Sequence, residues 1–389
     1  MNKLTIFLRT LRRSFFSKDT FMIFAVASLF YLVFYALPYN NQVLVNIPTA
    51  IVNMDNSQHA LSLVRKIESA STIKAVLKTQ DFAQAQKAYE RSLADVIIVI
   101  PPDYAKDAAS GRPTAISVFG NGALPVKGRA VTASMLAIVT EENLAAGTRE
   151  LLKAGLDPVI LKSMQLAPSP MVSQDLFNTI SGYGYYTVPM VCIVIIQSVL
   201  LFGIGIAVGG WLDPAIRPAF FDEALKSTSS FLAVFAAFVF IAVFWGVFLE
   251  GMGLSLLGMP TLMNLGATLI SVLFFSLSIS ALGFLIILLM GSNRYVVTLT
   301  LASAPSVFLT GMIYPMENFA SWVIPFAWLL PSTPGCKAIV YASQEGAGIG
   351  HIFPYLAALA VQFAAYFSLM LFLFKKRYCR SDTTDTNTH

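Results

Sequence analysis

Six uncharged runs, each close to the length that crosses a bilayer as a helix, constrain this chain more than any other feature. A helix needs about 20 mostly apolar residues to span the hydrocarbon core. The runs are Phe21–Leu37, Tyr185–Val208, Phe231–Leu249, Leu262–Met290, Tyr295–Tyr314 and Tyr355–Phe374. Charged residues make up only 12% of the chain, about half the share of a typical soluble domain. The sequence therefore predicts a polytopic α-helical membrane protein with six transmembrane helices.

The first apolar run follows a basic segment, so it is either a retained membrane helix or part of a cleaved signal peptide. Arg9, Arg12, Arg13 and Lys18 precede it, which is also the pattern of a cleavable signal peptide. However, the run is long for the apolar core of such a peptide, and no clear A-x-A cleavage site follows it. The sequence favours a retained helix that anchors the chain.

Lysines and arginines beside the apolar runs predict the orientation of the chain. One side carries Lys3, Arg9, Arg12, Arg13, Lys18, Arg217, Lys226, Arg294, Lys375, Lys376, Arg377 and Arg380. On the other side, the loop Glu250–Thr261 has none, and the region between runs five and six has only Lys337. Loops rich in Lys and Arg stay in the cytoplasm. Both termini are therefore predicted to be cytoplasmic.

Between the first two runs, residues 39–176 have the alternation of a soluble α/β domain. Strands are predicted at Ile47–Met54, Val96–Ile100 and Thr114–Phe119. Helices are predicted from a Ser57 or Asp55 cap to Ala70, from an Asp81–Gln84 capping box to Arg91, over Lys127–Leu152, and from Pro158 onward. The sequence therefore predicts an extracytoplasmic α/β domain with a helical stalk, inserted between spans one and two.

A few polar or small residues lie within or beside the predicted spans. Gln197 and Gln362 can either bond neighbouring helices or face a pathway. Glu250, at the outer end of the third run, is expected to be solvated. The glycines of residues 203–209 include a G-x-x-x-G pattern, which predicts close helix packing.

Several kinds of site find no support in the sequence. The three cysteines lack a CxxC pair and the three histidines lack metal-ligand spacing, so no metal is expected. No G-x-x-x-x-G-K-[ST] motif is present, so the chain is not expected to hydrolyse ATP itself. Its basic residues do not form a patch with interleaved aromatics, which argues against nucleic-acid binding.

After the fifth run comes an apolar stretch that four prolines interrupt. Pro315, Pro325, Pro331 and Pro334 prevent one continuous helix there. We expect a turn at Pro315 that places Glu317 and Asn318 in the outer headgroup region. A short helix over Phe319–Leu330 then dips back and leaves through Pro331 to Pro334, which makes residues 315–334 re-entrant. The alternative is a long external amphipathic loop.

These residues also carry a resemblance to a known family. Gly311-Met-Ile-Tyr-Pro315, Glu317, Pro325 and Leu329-Leu-Pro331 resemble the G-x-x-x-P…P…LLP signature of ABC-2-type transporter permeases. The inserted domain is similar to that of a subgroup with a large extracytoplasmic domain, through Ile51–Ser57, Ala94–Tyr104 and Gly111–Pro113. Asn53 stands where that subgroup often has Asp. The resemblance implies the ABC-2, or type V exporter, fold: six spans, a re-entrant outer hairpin and an inserted domain.

The resemblance implies partners as well. Such a permease pairs with a second permease copy, identical or not, and with a separate ABC ATPase that binds ATP and Mg²⁺. No cofactor is expected in this chain. The amphipathic N-terminal segment, residues 1–19, would lie on the membrane surface and contact the ATPase through Arg12 and Arg13. Simple lipid anchoring is the alternative.

The loop Leu212–Lys226 is the second element that would couple to an ATPase. Its Pro-rich opening and acidic residues suit docking onto a complementary surface, through Asp213, Arg217, Asp222 and Glu223. A solvated loop without such a role is the alternative.

The resemblance also places the substrate pathway between spans two and five of two permease copies. Tyr185, Tyr186, Gln197, Phe308 and Leu309 are the predicted substrate contacts. Aromatic residues without fixed charges suit an amphiphile, although they also pack cores. In the outer hairpin, the predicted functional residues are Gly311, Pro315, Glu317, Asn318 and Pro331.

Together these patterns predict the permease of an ATP-driven exporter in a bacterial inner membrane, with a periplasmic adaptor as a possible further partner. A membrane-anchored receptor or assembly factor that transports nothing is the alternative. The predicted division is an interfacial helix (1–19), the first span (20–38), the periplasmic domain with its stalk (39–176), spans two to six (177–375) and a cytoplasmic tail (376–389).

Overall fold

The computed structural model describes residues 1–39, 43–110, 112, 114–122, 125–153, 183–259, 261–290 and 305–379. The chain divides into two compact units. The first, called the membrane unit, consists of Met1–Asn40 and Leu176–His389. The second, called the α/β unit, is Asn41–Asp175.

The described helices and strands are as follows, in chain order. The helices are α1 (Lys3–Phe16), α2 (Lys18–Phe21), α3 (Ser28–Ala36), α4 (Gln58–Ser69), α5 (Phe82–Glu90), α6 (Tyr104–Ala109), α7 (Pro125–Lys153), α8 (Tyr183–Trp211), α9 (Ala219–Leu225), α10 (Thr228–Val247), α11 (Leu254–Leu256), α12 (Leu265–Met290), α13 (Pro305–Leu309), α14 (Val323–Ala327), α15 (Ser332–Gln344) and α16 (Ile349–Phe374). The strands are β1 (Ile47–Asn53), β2 (Ile73–Thr79), β3 (Val96–Ile100) and β4 (Ser117–Gly120). Short π-helical turns cover Met22–Ala27, Phe248–Gly253 and Lys375–Cys379, and 3₁₀ turns cover Leu37–Tyr39 and Met316–Asn318.

The α/β unit is built on a four-stranded sheet of order β2-β1-β3-β4. The strands β2, β1 and β3 run parallel, and β4 runs antiparallel to β3. The central strands β1 and β3 are buried on both faces, which fits their largely apolar sequences. Ile51 and Ile98 pack with α4 and α7 on one face, whereas Ala50 and Ile97 pack with α5 on the other.

Local sequence signals set the helix starts of this unit as predicted. The Ser57 hydroxyl accepts the backbone N–H of Ala60 at 3.1 Å, and an Asp81 carboxylate oxygen accepts that of Ala83 at 2.8 Å. Gln84 does not complete a capping box, because its side chain bonds Thr79 instead. The helix predicted from Pro158 lies outside the described residues.

In the membrane unit, four described helical stretches are long and apolar enough to cross a membrane. They are Thr187–Trp211, Thr228–Leu256, Leu265–Met290 and Ile349–Tyr378, with a shorter apolar helix at Met22–Ala36. They coincide with the second, third, fourth, sixth and first predicted runs. The described part of the chain therefore supports a polytopic helical membrane protein.

The fifth predicted run is only partly described. Residues 291–304 lie outside the described chain, and the helix ends at Leu309 rather than at Tyr314. Two residues later, Gly311 has a φ of +75°, a left-handed conformation that glycine adopts without strain and that does not continue a helix.

The predicted helix over Phe319–Leu330 is also wrong in its bounds. The chain forms only the short α14 there, and α15 begins directly after Pro331. Pro331 and Pro334 were expected to carry the chain away from the membrane. In the structure they flank and enter the first turn of α15, where a missing N–H costs no hydrogen bond; the exit from the membrane at these prolines stays a prediction.

Close packing around glycine joins the first apolar helix to α8. A Cβ added at Gly203 would lie 2.0 Å from Cζ of Phe24, a ring that is fully buried. The close packing predicted for residues 203–209 is therefore found at Gly203, whereas a Cβ at Gly209, in the G-x-x-x-G pattern, would meet Ile287 at an ordinary 3.6 Å. Aromatic contacts join other spans: the Phe231 ring lies edge-on to Phe284, with centroids 5.6 Å apart, and stacks on Phe374 at 4.0 Å.

Candidate functional site

The helix α1 presents three different faces. One face, with Ile6, Thr10 and Ser14, is buried and packs on α10. The second is apolar and exposed, and Leu4 and Leu8 lie on it. The third is basic and includes Arg9, Arg12 and Arg13, all of which are exposed. An exposed apolar face beside a basic face is typical of a helix in the membrane interface.

Arg217 joins the end of the membrane helix α8 to the short helix α9. Its guanidinium donates to the carbonyl oxygen of Trp211 at 3.1 Å and to that of Leu212 at 2.8 Å. Its Nη1 lies 3.2 Å from Oδ1 of Asp222 in α9. The carbonyls at a helix C-terminus have no partner within the helix and carry partial negative charge. A fork of donors therefore fits this position better than a single ammonium would.

Aromatic packing strengthens the same junction. The Trp211 ring lies 5.3 Å from that of Phe220 and 5.5 Å from that of Phe221. All three side chains are buried. Hence α9 is held against the end of α8 by both hydrogen bonds and apolar contact.

Ion pairs cover the outside of α9. Glu223 lies 2.7 Å from the Lys226 ammonium and 3.6 Å from the Met1 amino group, which brings the start of α1 to α9. The Lys226 hydrogen bond lowers the pKa of Glu223, and Glu223 in turn raises the pKa of Lys226. Asp213 accepts the N–H of Ala215 within its own turn.

The predicted coupling residues are thus partly brought together. The chain places Arg217, Asp222 and Glu223 on one junction, and α1 packs beside it. Arg12 and Arg13 are exposed on the basic face of α1, and Asp213 serves a local turn.

Elsewhere in the membrane unit, Gln197 links α8 to α15. Its Oε1 accepts the backbone N–H of Ser332 at 3.0 Å, at the start of α15. The first N–H groups of a helix need an external acceptor, and here a buried side chain supplies it. One turn further along α15, the Cys336 thiol lies 3.7 Å from the carbonyl oxygen of Met190 in α8. Two side-chain contacts therefore fix α15 on α8.

Gln362 makes the equivalent link from α16. Its Nε2 donates to the carbonyl oxygen of Trp328 at 2.6 Å, and its Oε1 accepts from the Ser278 hydroxyl at 3.3 Å. The Tyr366 hydroxyl donates to the carbonyl oxygen of Leu329 at 2.5 Å. Both glutamines therefore bond neighbouring elements, which is one of the two roles the sequence left open.

Glu250 is buried, not solvated as expected. Its side chain is 0% exposed, its Oε2 accepts from the Ser343 hydroxyl at 3.3 Å, and its Oε1 has no partner among the described residues. The π-helical turn Phe248–Gly253 carries the third span past Gly251, so the segment predicted as a loop stays helical to Leu256. Nothing in the sequence marked this carboxylate as internal.

The predicted pathway residues differ in exposure. Phe308 is exposed, whereas Tyr185 and Leu309 are half-buried. Gln197 is fully buried, and the side chain of Tyr186 lies outside the described part of α8. Among the predicted pathway side chains that the structure describes, Phe308 therefore offers the broadest surface to another molecule.

The predicted hairpin residues occupy the turn between α13 and α15. Pro315 precedes a 3₁₀ turn that exposes Glu317 and Asn318, while Pro331 is buried as the N-cap of α15. A Cβ at Gly311 would come within 3.2 Å of the Met316 side chain, so glycine is favoured there by space as well as by φ. The Thr333 hydroxyl bonds the carbonyl oxygens of Ala327 and Leu309, which closes the turn.

Comparison with known families now adds to this geometry. Residues 18–211 and 225–372 match the family model described as ABC-2 family transporter protein. The chain belongs to the ABC-2 transporter family. Membrane subunits of this family are generally not enzymes themselves, and membership implies an ABC ATPase as partner. The match covers α2 to α8 and α10 to most of α16.

Curated relatives of this ABC-2 protein are distant. The probable multidrug ABC transporter permease YbhR of Escherichia coli K12 is 18% identical over 287 residues, which is 74% of either chain. The protein of that name from Escherichia coli O157:H7 matches to the same extent. No solved structure matches the chain significantly.

Proposed function

We propose that this ABC-2 protein is the permease subunit of an exporter that moves an amphiphilic, drug-like or lipid-like substrate out of the cytoplasm or inner membrane. A separate ABC ATPase, which binds ATP and Mg²⁺, energises it. Family membership supports the permease role, and the printed name of the E. coli relatives, a probable multidrug permease, supports the substrate class.

The observation that carries the proposal is the junction at Arg217. An ATPase that pushes on α9 would move the end of α8 with it, because Arg217 and Trp211 join the two helices. Movement of α8 would then reach α15 through Gln197 and Met190. The membrane unit thus has a continuous physical link from α9, where an ATPase would dock, through α8 to α15.

The same geometry supports an arrangement in the membrane. A second permease copy would face the exposed Phe308, and substrate would pass between the copies. Most of α8 is already buried within the membrane unit. The Lys and Arg distribution supports cytoplasmic termini, and the E. coli relatives support a bacterial inner membrane. The α/β unit would then be periplasmic, where a further adaptor protein could bind it.

Affinity purification of the chain from native membranes in mild detergent, followed by mass spectrometry, tests the proposal first. We expect an ATPase with Walker motifs at near-equal stoichiometry. The complex in proteoliposomes should then move a fluorescent amphiphile only when ATP and Mg²⁺ are supplied. If no ATPase is recovered under conditions that keep known transporters intact, a membrane-anchored receptor or assembly factor becomes the better interpretation.

A further inference from the structure

A cavity of about 550 Å³ lies in the α/β unit, outside the elements that the proposed transport cycle uses. Residues from α4, α6, β4 and α7 line it, among them His59, Tyr104, Ile116, Met135, Val139 and Glu142. Pockets of about 300–1,000 Å³, mostly apolar with a few polar groups, are typical of small-molecule sites. The size and the mixed lining therefore fit an organic molecule.

One wall of the cavity is aromatic and apolar. The rings of His59 and Tyr104 are stacked, with centroids 5.5 Å apart and an interplanar angle of 9°. Burial raises the pKa of Tyr104, so its hydroxyl stays neutral. Met135 and Val139 on α7 add apolar surface to the lining. An apolar body can pack against these side chains.

The other important feature is a buried carboxylate. Glu142 is only 8% exposed, although it carries charge, and its Oε1 lies 2.8 Å from the Lys66 ammonium. Lys66 also bonds the exposed Glu141 at 3.1 Å. Of these three charged groups only Glu142 lines the cavity, so its carboxylate is the one that a ligand would meet. Arg112 also lines the cavity, but it is largely exposed and lies 3.8 Å from Asp107, which leaves Glu142 as the buried charged group of the lining.

We propose that this cavity binds an amphiphilic organic cation, with its apolar body against the His59–Tyr104 pair and the apolar side chains of α7, and its ammonium group at Glu142. A cation near a partly desolvated carboxylate and aromatic faces gains from both. An anion of the same shape would be repelled by the buried Glu142. The proposal does not depend on transport, because it concerns the α/β unit by itself.

Binding is tested on the full chain in phosphatidylcholine nanodiscs, without ATPase, using ethidium as the cationic probe and empty nanodiscs as the blank. Hydrogen exchange locates the site, and fluorescence anisotropy gives the affinity. We expect protection in peptides covering α6 and α7. The anionic probe 8-anilinonaphthalene-1-sulfonate should give no protection there.

Two neighbouring carboxylates supply a matched pair of variants. Glu142→Gln should weaken ethidium binding about tenfold, the equivalent of one charge-assisted hydrogen bond. Glu141→Gln should change it little, since Glu141 is exposed and does not line the cavity. Val139→Trp, which fills the cavity, should abolish the protection even if Glu142→Gln proves too unstable to assay.

Three results would overturn the proposal: equal effects of Glu141→Gln and Glu142→Gln, anionic and cationic probes that protect α7 alike, or protection only in the membrane unit. These outcomes are independent of whether an ATPase co-purifies. Failure of the exporter proposal and failure of the cavity proposal are therefore distinguishable.

Discussion

The Arg217 guanidinium donates to the carbonyl oxygen of Leu212 at 2.8 Å, so a loop residue caps the membrane helix that precedes it. The same group reaches Trp211 and Asp222, and together these contacts set the position of α9. In a permease that receives force from a separate ATPase, a junction of this kind determines how much of the movement enters the membrane. Its removal should uncouple the two subunits.

Arg217→Gln is expected to reduce substrate-stimulated ATP hydrolysis by the reconstituted complex about tenfold, because it removes hydrogen bonds to charged groups worth about 1.5–3 kcal/mol each. Arg217→Lys should recover little, since an ammonium cannot span three acceptors in this geometry. Lys376→Gln, an exposed change in the basic tail, is the control. Full stimulation in Arg217→Gln at normal complex levels would show that force enters elsewhere.

Glu250→Gln should leave the thermal stability of the purified protein unchanged or slightly higher. The amide keeps an acceptor for the Ser343 hydroxyl and removes a buried carboxylate that pairs with no described cation. Burial of an unpaired charge costs several kcal/mol, so Glu250→Lys should prevent stable folding. Thermal melts in detergent measure both variants, and the exposed Glu317→Gln is the control.

A marked loss of stability in Glu250→Gln would contradict this expectation. It would mean that the carboxylate is ionised and balanced by a cation, and that the charge itself holds α15 to the third span.

Asp55 predicts a pH dependence for the α/β unit. Its carboxylate accepts the N–H of Ala105 at 2.7 Å and that of Ser57 at 2.9 Å, and the first of these bonds contributes most to a pKa below the ordinary 3.8. A lowered folded-state pKa means that the stabilisation is present above about pH 4 and is lost as the pH falls through the folded value. Protection of β1 and α6 in hydrogen exchange should therefore fall in this acidic range.

Asp55→Asn should destabilise the unit at pH 7 by about 1–2 kcal/mol, through loss of the charge-assisted bonds. As the pH falls below 5, the stability of the Asp55→Asn variant should then change less than that of the unmodified chain. Parallel pH profiles for the two proteins would show that another carboxylate is responsible.

Asp55 also shows which parts of the fold were accessible from sequence. The segment Asn53–Ser57 was expected to end a strand and cap a helix, and each step is a contact between close neighbours. The Asn53 side chain accepts the N–H of Asp55 at 3.2 Å, so the amide supplies an acceptor where the related subgroup often has Asp. Hydropathy likewise predicted the apolar spans, because length and composition alone decide them.

Contacts between distant parts of the chain could not be predicted in this way. Gln197 bonds Ser332 across 135 residues, and Glu250 bonds Ser343 across 93. Glu250 looked like a loop residue because a π-helical turn leaves no signal in composition. The strand β2 was missed because Lys74 and Lys78 interrupt it, although both are exposed on an edge strand, where charge is tolerated.

Gly203 tests the packing of the first apolar helix on α8. Gly203→Ala places a Cβ where the Phe24 ring now lies, and the fully buried ring has no room to move. Overpacking of this kind costs about 1–3 kcal/mol, so the variant should melt at a lower temperature and give less assembled complex. Gly210→Ala is the matched control, since its Cβ would meet Ile216 at an ordinary 3.6 Å.

The double variant Gly203→Ala with Phe24→Leu should recover part of the lost stability, because the smaller side chain frees the space that the new methyl group needs. Gly203→Ala alone creates a clash and Phe24→Leu alone leaves a void. In the double variant the added methyl group partly fills that void. Additive losses in the double variant, measured by thermal melting, would show that the two residues do not contact each other. The first apolar helix would then have to pack elsewhere in the membrane unit.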